Sequence, residues 1–202
     1  MITDGLNPLN FLAFVGLVLG GGAATLLGVF ALVLNRRDVA KVIAGLALGG
    51  VGLYAALFLI AALTSKDRLL AVGDEKHICE VDCHLAYSVV GVTTQGGRYI
   101  VTVKVRFDET TIASHRGMAP LTPNSRYVAL VDSQGRRYAG STDALKRQLV
   151  PGESYTTDLV FDLPADARDP RLLLANDDIE TTFLIGHENS WFHGKTTFRL
   201  TS

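Results

Sequence analysis

Apolar residues run almost unbroken from Phe11 to Leu63, and one polar break, Asn35-Arg36-Arg37-Asp38, divides the run. Each half exceeds the roughly 20 apolar residues needed to cross a hydrocarbon layer about 30 Å thick. No charge stands between Phe11 and Leu34, and Lys41 is the one charge between Val39 and Leu63, near enough to the end to snorkel. A buried helix in a soluble core keeps a polar stripe at 3.6-residue spacing, and neither half has one. The pattern therefore predicts two transmembrane helices, about 11–34 and 39–63, joined by a tight turn into a hairpin spanning 1–64.

Beyond Thr64 the pattern changes. Residues 65–76 read as a short charged connector, and from there alternation at period two takes over. Tyr87, Val89 and Gly91 alternate with Ser88, Val90 and Val92, and Gln95-Gly96-Gly97 reads as a turn. Tyr99, Val101, Val103, Val105 and Phe107 are predicted to face inward, opposite Ile100, Thr102, Lys104 and Arg106. Asp108 to Pro123 reads as an irregular crossing. Strands follow at about 126–132, 137–141, 156–163, 171–175, 181–185 and 195–200, with one helical turn in 143–149. Short strands spaced by turns indicate an antiparallel sandwich over 77–202.

Three stretches sharpen that expectation: Val131-Asp132-Ser133-Gln134-Gly135-Arg136-Arg137-Tyr138, then Leu149-Val150-Pro151-Gly152, then Leu159-Val160-Phe161-Asp162-Leu163-Pro164. They resemble the immunoglobulin-like domains of bacterial membrane-anchored proteins of unassigned function. The resemblance implies a hairpin, a turn and an inter-sheet strand, and it carries no catalytic residues. The expected fold is thus a two-helix transmembrane hairpin followed by an all-β immunoglobulin-like antiparallel sandwich.

Small residues recur every fourth position at Gly16, Gly20, Ala24 and Gly28, and again at Gly45 and Gly49 and at Gly52 and Ala56. Such spacing makes flat faces on which helices approach closely, and a hairpin packed on itself is the simpler expectation. Arg36, Arg37 and Lys41 surround the turn, whereas residues 1–10 hold no Lys or Arg. The excess of basic residues predicts a cytosolic turn, with both termini and the β domain in the periplasm of a bacterial inner membrane. A long first span without a basic leader argues against a cleaved signal peptide.

Charge narrows the partners. The formal net charge is −1, and acids and bases nearly balance beyond the hairpin, so no field is available to hold nucleic acid.

Candidate chemistry gathers in His77-Ile78-Cys79-Glu80-Val81-Asp82-Cys83-His84, which contains both cysteines of the chain. A Cys79–Cys83 disulfide requires a tight turn, because residues four apart in a strand lie about 13 Å apart. A metal site from His77, Cys79, Cys83 and His84, suited to zinc or copper, is the alternative, and free buried thiols are a third. The layout also resembles subunit II of haem–copper oxidases, whose dinuclear copper site has a C-x3-C pair. There the pair lies late in the β domain, with a His and a Met a few residues on. Here it lies early, His84 is adjacent, and the internal methionine is Met118. The expectation is therefore a disulfide, no metal and no cofactor.

Catalytic candidates are thin. Ser114 and His115 are adjacent, which does not suit a nucleophile–base pair. His187, Glu188 and His193 lack helical zinc spacing. Residues 186–194 read instead as an exposed contact loop between strands, with His187, Glu188, Asn189, Trp191, Phe192 and His193 as its contact residues. The expected function is a non-enzymatic accessory subunit of a larger inner-membrane complex, such as a respiratory or photosynthetic electron-transport assembly. Its partners would be other integral membrane subunits, the lipid bilayer and a periplasmic protein. The alternatives are a stand-alone envelope binding protein and a metal or redox protein using the cysteine segment.

Overall fold

The computed structural model describes residues 2–4, 8–79, 83–112, 117–176 and 179–200. The chain divides into two compact units. One comprises Met1–Leu6, Lys66–Asp178 and Gly194–Ser202; the other comprises Asn7–Ser65 and Ile179–His193. A segment late in the sequence therefore leaves the β unit and joins the helices.

In the helical unit, α1 spans Pro8–Val33 and α2 spans Arg37–Thr64. Both are long and apolar enough to cross a membrane. The turn between them is tight because Asn35 takes a left-handed conformation (φ 58°). The Asn35 amide then donates to the Leu32 carbonyl and the Arg36 amide to the Ala31 carbonyl, closing the end of α1 with a Schellman motif.

Besides Val15, the half-buried positions of α1 are Asn10, Phe14, Leu17, Gly21, Ala24, Gly28 and, fully buried, Ala31. Those of α2 include Ala40, Ile43, Ala47, Tyr54, Phe58 and Ala61. Steps alternating between three and four residues make this a heptad seam of antiparallel neighbours. The glycine expectation is corrected here. A constant four-residue step drifts about 40° per step around a helix, so it cannot follow such a seam. Ala24 and Gly28 lie on it, and a Cβ on Gly28 would meet Ile43 at 4.0 Å. A Cβ on Gly16, Gly20, Gly45, Gly49 or Gly52 would meet nothing within 4 Å, so those glycines do not pack the hairpin.

The β unit holds two five-stranded sheets. One contains β1 (Ile2–Asp4), β3 (Lys76–Ile78), β4 (Leu85–Gln95), β5 (Arg98–Phe107) and β8 (Ser154–Asp162), side by side in that order. The other contains β2 (Arg68–Leu70), β10 (Thr196–Arg199), β9 (Arg171–Ala175), β6 (Tyr127–Val131) and β7 (Arg137–Ala139), also in order. Val101, Val103, Val105 and Phe107 are fully buried, as the alternation predicts, and Leu159 and Phe161 join them from β8. The expected facing of β4 holds at Tyr87 and Val89 and then fails, because the register shifts between Val89 and Gly91. The bulge leaves Val90 exposed and brings Val92, opposite Val101, onto the core.

The sandwich departs from the sequence expectation in three further places. It is not purely antiparallel: β1 runs parallel to β3 and β10 runs parallel to β2. Parallel neighbours need a long intervening connection, and both helices intervene between β1 and β3. Residues 65–76, read as a connector, contribute β2 and the first residue of β3. There the Arg68 amide donates to the Lys195 carbonyl, and Gly194 lies so close to the Lys66–Asp67 backbone that no side chain would fit. Finally, the strand expected at 181–185 is a 3₁₀ turn, Ile179–Phe183. Thr181 and Leu184 are the buried positions, a spacing of three that suits such a turn and not a strand. The helical turn expected within 143–149 is the 3₁₀ turn Asp143–Leu145.

Candidate functional site

Cys79 follows β3 and Cys83 precedes β4, and the two form a disulfide with their Cα atoms 4.3 Å apart. The bridge joins the end of β3 to the approach to β4, and those two strands pair antiparallel. A ring this small limits the unfolded chain by about 2 kcal/mol. With both sulfurs engaged, the segment offers no thiolate pair. Among the described residues no three His, Cys, Asp or Glu side chains gather as a metal cage. The intervening residues 80–82, and the Ser114–His115 pair, lie outside the described residues.

The two histidines beside the bridge serve different groups. His77 is fully buried, and its Nε2 lies 3.3 Å from Asp108 Oδ2. Its Nδ1 has no hydrogen-bond partner among the described residues. With Nε2 as the donor, Nδ1 is left a bare acceptor, the cheaper atom to bury. His84 Nδ1 lies 2.6 Å from Thr111 Oγ1, and its ring stacks on Phe107 at 5.6 Å.

Asp108 is the hub of this corner. It accepts hydrogen bonds from the Thr110 amide (3.0 Å), the Thr110 hydroxyl (2.7 Å) and Arg106 (3.2 Å). Arg106 also holds Glu75 through two bonds of 2.9 and 2.7 Å. Burial pushes the Asp108 carboxyl up, but the Thr110, Arg106 and His77 donors outweigh it and hold the group well below the usual carboxylate range. The Arg106 hydrogen bonds lower Glu75 as well, against a smaller effect of burial. Next to this corner Lys76 is buried, and its ammonium donates to the Leu174 and Thr196 carbonyls at 2.8 and 3.2 Å. A strand of one sheet is thereby tied to two strands of the other.

In the helical unit a groove of about 590 Å³ runs beside the seam. Gly16, Gly20, Gly21 and Ala24 line it from α1, and Ala47, Gly50, Val51 and Leu57 from α2. Gly45, Gly49 and Gly52 lie off both seam and groove. The groove carries no charged side chain.

The segment after the 3₁₀ turn corrects the expectation of an exposed polar–aromatic loop at its polar residues only. His187, Glu188 and Ser190 are buried, Asn189 and His193 are half-buried, and Trp191 and Phe192 are exposed. Several of its polar groups bond within the segment. The Ser190 hydroxyl donates to the Leu184 carbonyl, with the Thr181 carbonyl also within reach, Asn189 Nδ2 donates to Thr181 Oγ1 at 3.1 Å, and the Trp191 amide to the Thr182 carbonyl at 3.3 Å. Both helices hold it: Asn10 Nδ2 donates to the Ile185 carbonyl at 2.7 Å, and the Tyr54 hydroxyl to the Phe183 carbonyl at 2.8 Å.

Sequence reasoning placed the disulfide and singled out Trp191 and Phe192. It missed Glu75, Lys76, Arg106 and Asp108, whose charges look like those of any solvated strand. It also missed Asn10 and Tyr54. A usable signal was there: these are two hydrogen-bonding side chains on the apolar faces of spanning-length helices, where each needs a partner.

Comparison with protein-family models found no match, and comparison with curated proteins found none either. Among solved structures the fold is similar to MPT63, a secreted protein from Mycobacterium tuberculosis, at 11% sequence identity and a TM-score of 0.45, over 67% of this chain and 99% of that one.

Proposed function

We propose that this protein is a non-enzymatic accessory subunit of a larger membrane complex, anchored by α1 and α2 and carrying an immunoglobulin-like sandwich on the periplasmic side of a bacterial inner membrane. The basic residues at the inter-helix turn support that orientation. The sheet orders support the immunoglobulin-like assignment. β4, β5 and β8 stand where strands A, B and E would, and β10, β9, β6 and β7 where G, F, C and C′ would.

The observation that carries the reading is the glycine-lined groove. A hairpin sealed along a heptad seam has no internal use for Gly16, Gly20 and Gly50, each of which faces open space. Small side chains at a lipid-facing groove let another helix backbone come close, which is the main source of helix association where lipid tails are as apolar as leucine. The occupant proposed is an apolar membrane helix of another subunit.

The test is migration on a native gel after gentle solubilisation of the native membrane. The complex is expected well above 21.7 kDa plus its detergent. Gly16→Leu combined with Gly20→Leu should release the chain to its own mass; a Cβ at either position meets nothing within the hairpin. Wild-type protein that already migrates as a monomer would sink the proposal.

A further inference from the structure

The segment 179–193 is built inside out. His187, Glu188 and Ser190 are 6%, 6% and 1% exposed, whereas Phe183, Trp191 and Phe192 are 42%, 56% and 76% exposed. A loop selected to meet water has the opposite arrangement. Backbone that meets lipid has a stricter need: its amides and carbonyls must find partners within the protein. Here the amides of Leu184, His187, Ser190, Trp191 and His193 all donate to carbonyls of the same segment.

The helices fix its level. Counting about 20 residues back from Val33 along α1 reaches Phe14, and the same count forward from Val39 along α2 reaches Phe58. Those two positions mark the end of the hydrocarbon layer remote from the Arg36 turn. Asn10 stands one helical turn above that boundary and Tyr54 one turn below, about 6 Å either way. The Asn10 and Tyr54 hydrogen bonds end on Ile185 and Phe183, so the segment straddles the boundary. The Phe183 and Trp191 rings meet edge to face at 5.0 Å beside it. This is the depth at which tryptophan and other aromatic rings are favoured in membrane proteins.

We propose that this segment is a third membrane contact, a non-spanning aromatic anchor whose Phe183, Trp191 and Phe192 rings sit among the headgroups and upper acyl chains of the bilayer. The partner is lipid, not protein. The inference rests on the reading of α1 and α2 as membrane spans.

The chain has a single tryptophan, so the emission of the unmodified protein reports Trp191 alone. The full chain is reconstituted into phosphatidylcholine vesicles whose acyl chains carry bromine at graded depths, and vesicles are first washed in alkaline carbonate. Retention after the wash, with emission quenched several-fold more by shallow than by deep bromines and several-fold less by aqueous iodide than free tryptophan, is the expected result. Retention with full iodide quenching and no bromine effect would overturn the anchor and leave the spans intact. Shielding from both quenchers would also overturn it, since protein would then cover the ring. Release by carbonate would remove the spanning reading and the anchor together.

Discussion

The β unit and the helical unit solve opposite packing problems with the same side chains. In the β unit, Val101, Val103, Val105 and Phe198 have no exposed surface, and charge is placed at the corners. In the helical unit, Leu19, Leu26 and Leu46 are 68–74% exposed, while Ala31 and Ala62 are buried. Water drives the first arrangement by expelling apolar area. On the proposed membrane reading it does not drive the second, where close approach of small residues and satisfied polar groups hold the helices. The segment 179–193 follows the helical rule although its neighbours in sequence, β9 and β10, follow the other. On the proposed reading its surroundings are thus set by what it is bonded to and not by where it lies along the chain.

The largest effect should separate the units outright. Phe198→Ala opens a cavity in the sandwich core and is expected to cost about 3–5 kcal/mol. Leu26→Ala, on an exposed face that the membrane reading turns to lipid, is expected to cost under about 0.5 kcal/mol. Denaturant titration followed by the β-sheet circular dichroism signal measures both. Equal losses for the two substitutions would mean that the exposed leucines are covered by protein, and the contrast would fail.

Legibility in the sequence followed the same division. Period-two alternation marked β5 and β8 because one face of each is buried against a core that the strand cannot avoid. The two long helices were legible because uncharged apolar runs of this length have few other uses. The bulge at Val90 was not legible, since one extra residue leaves the composition of a strand unchanged. Nor was the 3₁₀ turn at Ile179–Phe183: five residues fit either period, and the Tyr54 and Asn10 contacts that decide the matter lie far away in sequence. The corner was hidden because Arg106 occupies an outward, half-buried position, and its pairing there with Glu75 and Asp108 leaves no mark in the strand's pattern.

That corner gives the next effect. Glu75 and Asp108 both have carboxyl groups held below their unfolded value near 4. A group lowered on folding contributes stability above its unfolded pKa and loses it as pH falls through the folded value. The sandwich is therefore expected to lose stability as pH drops below about 4, with the hairpin unaffected. Arg106→Met removes the shared donor and leaves Asp108 buried beside His77, at a cost of roughly 2–3 kcal/mol near neutral pH. It should also flatten the acid dependence, which denaturant midpoints at pH 7, 5 and 3 would show. A variant as acid-sensitive as wild type would mean that other carboxylates, such as Asp132 with its Arg136 partner, govern acid unfolding.

The smallest effect tests where the inside-out segment belongs. Tyr54→Phe keeps the ring against Phe14 and removes only the hydroxyl that donates to the Phe183 carbonyl. Leaving that carbonyl without its donor should cost about 1–2 kcal/mol locally, or a five- to thirty-fold rise in exchange of protected amides. Hydrogen exchange of the reconstituted protein should show the rise at residues 181–193 and no change in β4, β5 or β8. The localisation matters more than the size. If the amides of β9 and β10 opened together with the segment, it would be an extension of the sandwich that happens to touch the helices. If the segment opened alone, the helices would be what holds it, and its aromatic rings would take their surroundings from the hairpin.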